Sequence, residues 1–443
     1  MRRTLRWVSS RAKRAGARAA GACFLPFLFA AASAQAQTIA ITGGRVFPVS
    51  GPPIDNATVL IRDGKIAQVG TNVAIPTGAR RIDAAGKWVT PGLIDAQTQL
   101  GLFDAGFGAG PTDVAARGRN DALTPSFRVW EGVNPRSVYV APARQAGVTS
   151  VIVAPQTNSV VGGQTAMIDL VDGDLTDMVV QGPVAMFANF DFPPTDRVAA
   201  RGELFARIRE LLEDTKVYMR RRPEFERNQS RELLASRLDL EAMSPVVEGR
   251  LPLIVQASRA SDIEMALQIA REYSLKLVIA GGAEAWMVAP KLAAAKVPVL
   301  VGAMNNIPVS FNTLGMRQEN AGRLRAAGVA VAMIGNAGGG DEEAFNVRNI
   351  RQEAGNAVAY GMSWNDALRA VTLAPAELFG VADRLGSLQV GREANVVVWS
   401  GDPFEFSSTA EHVFVRGQES TAPTRQDLLE QRYRRLPPDY KRP

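Results

Sequence analysis

The sequence predicts an α/β protein: a (β/α)8 TIM barrel with a small composite β-sheet domain built from both chain ends. Three observations carry this expectation. Compact β-branched runs at 148–154, 253–257, 275–279, 297–301 and 329–334 have the composition of strands buried on both faces of a parallel sheet. Helical periods separate them, at 261–273, 285–295, 320–327 and 342–360, and strand-helix alternation over this length belongs to a barrel or a doubly wound sheet. No glycine-rich nucleotide fingerprint follows the first strand, which favours the barrel.

Residues 1–37 read as a signal peptide. Seven basic side chains and no acidic one precede an apolar run from Ala19 to Ala32, and small residues at Ala32-Ser33-Ala34 and Ala34-Gln35-Ala36 fit peptidase cleavage. The run is short of the ~20 residues that cross a bilayer and contains Pro26, so a membrane anchor is the weaker reading. Arg2-Arg3 admits a twin-arginine route and Cys23 a lipid anchor. Export to the periplasm or medium is expected, with no membrane span after cleavage. Seven of the 50 Lys+Arg lie in this leader, leaving 43 against 44 Asp+Glu. The pI of 9.6 therefore reflects the leader, and no basic footprint for nucleic acid remains. Cys23 is the only cysteine, so the mature chain has no disulfide.

Residues 38–90 form the first part of the sheet domain: 38–42, 58–61 and 66–69 are short strands, and Asp63-Gly64 marks a tight hairpin. The barrel is expected over 91–384, with a charged helical insertion at about 199–250 whose Leu204, Ile208, Leu211 and Leu212 fall at helical spacing. Arg220, Arg221 and Arg222 read as a solvated face. The rest of the sheet domain spans 385–420, with strands expected at Gly386-Ser387-Leu388, 395–399 and 413–417. A polar tail, 421–443, holds a short helix around 427–434.

Trp88-Val89-Thr90-Pro91-Gly92-Leu93-Ile94-Asp95-Ala96-Gln97-Thr98-Gln99-Leu100-Gly101 closely resembles the segment leading into the first barrel strand of the amidohydrolase superfamily, imidazolonepropionase-like branch. Ala146-Gly147-Val148-Thr149-Ser150, Pro252-Leu253-Ile254-Val255, Thr372-Leu373-Ala374-Pro375-Ala376 and the segment from Gly386 to Asn395 resemble the same family. The resemblance spans nearly the whole mature chain. It implies hydrolysis of non-peptide carbon-nitrogen bonds in amides or cyclic ureides, with zinc or another divalent metal lowering the pKa of a bound water to roughly 7 and polarising the carbonyl.

Carried over residue by residue, the resemblance places metal ligands where this chain has none. The histidines of the first strand read as Gln97 and Gln99, and that of the fifth strand as Gln256. The bridging residue of the fourth strand falls near Asn189, the histidine of the sixth at Gly281, and the aspartate after the eighth at or beside Asn336. Neutral amide oxygens are poor zinc ligands. The expectation is a degenerate enzyme with no bound metal, its old site persisting as a pocket for a small polar ligand. It would act as a ligand-binding or partner subunit, as a homo-oligomer or beside an active amidohydrolase relative. The alternative is an active hydrolase with a metal-independent or carboxylate-based site.

Glu284 is the weak catalytic candidate, with helix capping as its competing role. Asp104, Asp113 and Asp121 offer a loop carboxylate pair, Gly162-Gly163-Gln164 a mouth turn, and Gly338-Gly339-Gly340-Asp341 a mobile loop. The only histidine, His412, lies beside Glu411 in a terminal strand. A third reading is a scaffold with a sealed barrel mouth.

Overall fold

The computed structural model describes residues 38–103, 113–116, 123–156, 159–191, 198–227, 229, 231–304, 307–308, 310–335 and 342–434. The leader, Asp104, Asp121, Asn336 and Gly338 to Asp341 lie outside the described residues. Five strands come first: β1 (Ile39–Val46), β2 (Ile54–Arg62), β3 (Lys65–Gly70), β4 (Arg80–Asp83) and β5 (Trp88–Pro91). Their alternating Ile, Val and Leu suit a pleated surface buried on one side. The chain passes directly from β5 through Gly92 into the barrel strands β6 (Leu93–Thr98), β7 (Val148–Val153), β8 (Val161–Asp169), β9 (Val179–Asn189), β10 (Leu253–Ala257), β11 (Leu277–Gly281), β12 (Val299–Val301) and β13 (Val331–Met333). It then returns to the first sheet with β14 (Val396–Trp399), β15 (Ala410–Val415) and β16 (Gln418–Glu419).

The terminal sheet runs β16-β15-β14-β5-β1-β2-β3, with β4 on β1. Antiparallel pairing of β14 with β5, Val397 opposite Thr90 and Val398 opposite Val89, joins the two chain ends. Two short hairpin groups that would be marginal alone thus share one apolar core, which includes Ile41, Val59, Ile61, Val89, Val396 and Phe414. Gly386-Ser387-Leu388, expected as a strand, is not one. Leu388 N donates instead to Pro48 O, and the segment crosses the sheet core as a bend.

The barrel sheet runs β6 to β13 in chain order, and β13 packs back on β6. Its interior holds Ile94, Ile152, Phe187, Ile254, Val278 and Leu300, while alternate residues such as Val151, Val255 and Ile279 meet the surrounding helices. This two-sided burial explains the continuous apolar runs. One strand breaks the expected pattern: β8 is antiparallel to both β7 and β9. Gly162-Gly163-Gln164, expected as a turn, lies inside it. The inserted helices Arg201–Glu226 and Arg237–Val247 pack on each other. Pro223, which cannot donate to the carbonyl four residues back, accounts for the break at Arg221 in the first of them.

Candidate functional site at the barrel mouth

The carboxyl ends of the barrel strands are the place where this architecture gathers functional side chains. In β6 a bulge sets their direction. Asp95 is in register with Val151 and Thr98 with Val153, so one extra residue lies between them on β6. Val151 and Val153 face the outer helices; Thr98 therefore does too, and alternation turns Gln97 and Gln99 inward. Asp95, fully buried, holds the bulge: its Oδ1 accepts from Gln97 N at 3.0 Å and its Oδ2 from Gly335 N at 3.2 Å, across the seam that closes the barrel. Gln97 is 7% and Gln99 1% exposed. The Oε1 atoms of both are buried and find no hydrogen-bond partner among the described residues.

Asn189 and Gln256 are in register on β9 and β10, each two residues beyond an interior side chain, Phe187 and Ile254. Asn189 Oδ1 accepts from Asp191 N at 2.8 Å. Gly281 ends β11 with φ +78°, and a Cβ on it would overlap Gln256 Nε2. The positive φ and the absent side chain together let the Gln256 amide lie against the sixth strand. Gln97, Gln99, Asn189, Gln256 and Gly281 thus occupy the ends of the first, fourth, fifth and sixth barrel strands, while Asn336 lies outside the described residues.

Glu284 follows β11, but its carboxylate is fully employed. Oε2 accepts from Ala260 N at 2.9 Å, in the first turn of the helix Ala260–Tyr273, and Oε1 from Gly315 N at 3.1 Å. It serves the start of the preceding helix rather than the one it opens. Asp113 is exposed. His412 sits in β15 with Nδ1 2.6 Å from Glu419 Oε1, and the neighbouring Glu411 pairs with Lys87 instead.

Two carboxylates at the mouth went unnoticed in the sequence. Asp191, just past β9, accepts from Ser258 N at 2.9 Å and Ser258 Oγ at 2.6 Å. Burial pushes its carboxyl above the usual range, against the opposing pull of the two Ser258 bonds. Glu353, on the helix Ile350–Ala359, is fully buried, and its Oε2 accepts from Ala303 N at 2.5 Å and Met304 N at 2.7 Å. Burial raises its pKa, and the two backbone donors oppose that rise. Its Oε1 has no partner among the described residues. Glu353 lies mid-helix, far from any barrel strand in the chain, so only its inward position on that helix, beside the apolar Ile350, Ala354 and Ala357, hinted at burial. No three His, Cys, Asp or Glu side chains among the described residues are grouped to hold a metal ion.

The sequence profile of the amidohydrolase family matches residues 88–420. The crystal structure of an amidohydrolase from Thermotoga maritima MSB8 superposes with a TM-score of 0.77 at 30% identity, covering 86% of this chain and 99% of that one. Amidohydrolase tasK of Hapsidospora irregularis is 22% identical over 392 residues, 81% of this chain and 39% of its own length. The dihydroorotase of Anaeromyxobacter sp. (strain K) is 46% identical over 68 residues, 15% of each chain. The chain thus spans well under half the length of these curated relatives in the aligned regions. A family match that runs from β5 through the barrel to β16, together with a solved amidohydrolase of the same architecture, places the chain in the amidohydrolase family.

Proposed function

We propose that this protein is a metal-free binding member of the amidohydrolase family, in the imidazolonepropionase-like branch, whose barrel mouth holds a small polar ligand. The observation that carries the reading is the donor set. Where a dication needs several imidazoles or carboxylates, the strand ends offer the carboxamides Gln97, Gln99, Asn189 and Gln256 and the glycine Gly281. Carboxamides keep the length and hydrogen-bonding capacity of the side chain but supply no charge and weak donation to zinc. The described residues therefore do not fit the family's metal, and no reaction step is assigned to one. The reading is of a protein exported by the leader at 1–37 that acts as a ligand-binding subunit, alone, as a homo-oligomer or beside an active relative; of these, only the binding role rests on the donor set. The alternative, hydrolysis by Glu284, is disfavoured because both of its oxygens already accept backbone hydrogen bonds.

Elemental analysis of the purified protein tests the reading. Zinc, manganese and iron are expected far below one per chain after exposure to each metal, and hydrolysis of amide and cyclic ureide substrates is expected to be absent with or without chelator. Stoichiometric metal with chelator-sensitive turnover refutes it. Turnover that survives chelation and disappears in Glu284→Gln supports the alternative instead.

A further inference from the structure

We propose that the end of the barrel opposite the mouth carries a second binding site, for a small organic anion with an apolar body. A cavity of about 470 Å3 opens there, between the amino ends of β12 and β13 and the helices Trp364–Ala370 and Leu373–Leu378. Its size falls within the range of roughly 300–1,000 Å3 that small-molecule sites occupy. Pro298 before β12, Val331 at the start of β13 and Leu378 on the second helix give it apolar walls. This architecture gathers its chemistry at the opposite, carboxyl ends of the strands, so the inference is independent of the reading of the mouth.

The charged groups of the lining select the sign of the ligand. Its two carboxylates are already answered from within the chain. Asp366 Oδ1 accepts from Arg325 Nε at 3.1 Å and Nη2 at 2.7 Å, and Asp366 Oδ2 accepts from Ser363 Oγ at 2.8 Å. Glu377 is bound by Arg369 and stands in the field of Arg392 as well. The pairs Arg325–Asp366 and Arg369–Glu377 leave Lys296 as the cation of the lining with no carboxylate partner among the described residues. Lys296 follows the helix Ala289–Ala294 with φ +53°, a backbone conformation that favours glycine or asparagine over a long side chain. An ammonium offers three donors and no acceptor. With the two pairs satisfied, a carboxylate or phosphate group answers Lys296, whereas a cation would have to take a carboxylate from its arginine. The apolar walls then reward a hydrocarbon body, by at most about fourfold in affinity for each methylene buried.

Calorimetric titration of the purified full chain with sodium hexanoate, sodium acetate, n-hexanol and n-hexylamine hydrochloride, near neutral pH, tests the proposal. Hexanoate is expected to bind saturably and at least about tenfold more tightly than any of the other three. Two variants locate the binding. Lys296→Asn removes the ammonium and keeps a residue that tolerates the backbone, and it should weaken hexanoate about fivefold while leaving hexanol unchanged. Ala330→Phe, at an exposed position on the cavity wall, fills the space and should abolish hexanoate binding. Both positions lie outside helix and strand, and if one variant fails to fold the other still locates the site. Hexylamine binding as tight as hexanoate, hexanoate binding unchanged in the folded variants, or no saturable binding of hexanoate overturns the proposal.

Discussion

Gly281 determines how close Gln256 can come to the end of the sixth strand. Its left-handed φ of +78° is costly for a side chain, and a Cβ there would meet the tip of Gln256. Gly281→Ala should lower stability by about 1–2 kcal/mol from the backbone alone. Because the colliding atom ends a flexible side chain, adding Gln256→Ala should recover no more than about 0.5 kcal/mol of that loss. A thermal melt of the two variants checks both statements, and full rescue by the second substitution would contradict the backbone account. Glu353 is a harsher position. Replacing it with leucine strands the buried N–H of Ala303 and leaves the part-buried N–H of Met304 without its acceptor, at a cost of about 1–3 kcal/mol. Glu353→Gln keeps a carbonyl acceptor and should cost clearly less, so equal melting temperatures for the two variants would remove the acceptor role. Gln97 and Gln99 were legible from one motif, because the segment from Trp88 to Gly101 fixes their place on the first strand. Glu353 was not, since its role depends on a helix folding back over the end of a distant strand.

The strands that sequence reasoning found are those whose apolar runs have no glycine. Apolar runs alone did not reveal β8 or the body of β9, of which only the end near Asn189 was located through the family resemblance, because each carries residues that usually punctuate loops: Gly162 and Gly163 in the first, Gly182 and Pro183 in the second. The structure supplies the reason for Gly163. The carbonyl of Phe127 passes directly over it, Gln164 N donates to that carbonyl at 2.8 Å, and a Cβ would collide with the crossing chain. A second close approach ties β14 to the barrel. The Trp399 ring, fully buried, fills the space over Gly147 at the start of β7, and its Nε1 donates to Thr90 Oγ1 at 2.9 Å. A Cβ on Gly147 would overlap the ring carbons, and the backbone there has φ +88°. The indole is held by its hydrogen bond and by the surrounding core, so it cannot yield as the tip of Gln256 can. Gly147→Ala should therefore destabilise by about 3 kcal/mol or more, well beyond Gly281→Ala. Comparable melting temperatures for the two alanine variants would show that the sheet and the barrel are not locked together at this point.

Barrel and terminal sheet also share a buried polar junction, and it makes the stability of the whole chain depend on pH. Asp169, at the end of β8, is fully buried. Ser150 Oγ donates to its Oδ1 at 2.6 Å, Arg416 Nε to its Oδ2 at 2.6 Å, and Asn395 Nδ2 to its Oδ1 at 3.2 Å. Asn395 Oδ1 in turn accepts from Arg416 N at 2.7 Å. Glu393 stands 3.5 Å from Arg416 and is itself bound by Arg384. Sequence could pair the two chain ends through their hairpins, but this network joins residues more than 200 positions apart, and only the closed structure assembles it. Burial outweighs the help from Arg416 and Ser150 and, with the repulsion of Glu393, raises the Asp169 pKa from 3.8 to about 6. The folded chain therefore holds this proton between pH 3.8 and about 6, where the unfolded chain has released it. The stabilisation is complete below the ordinary carboxyl range and is lost as pH rises through about 6, with an upper size on the order of 3 kcal/mol. Asp169→Asn cannot titrate, so its melting temperature should follow pH less steeply than wild type over that window, in the direction of losing a fall with rising pH. Parallel melting curves for the two proteins across the window would mean that Asp169 is ionised throughout and that Arg416, rather than burial, governs the junction.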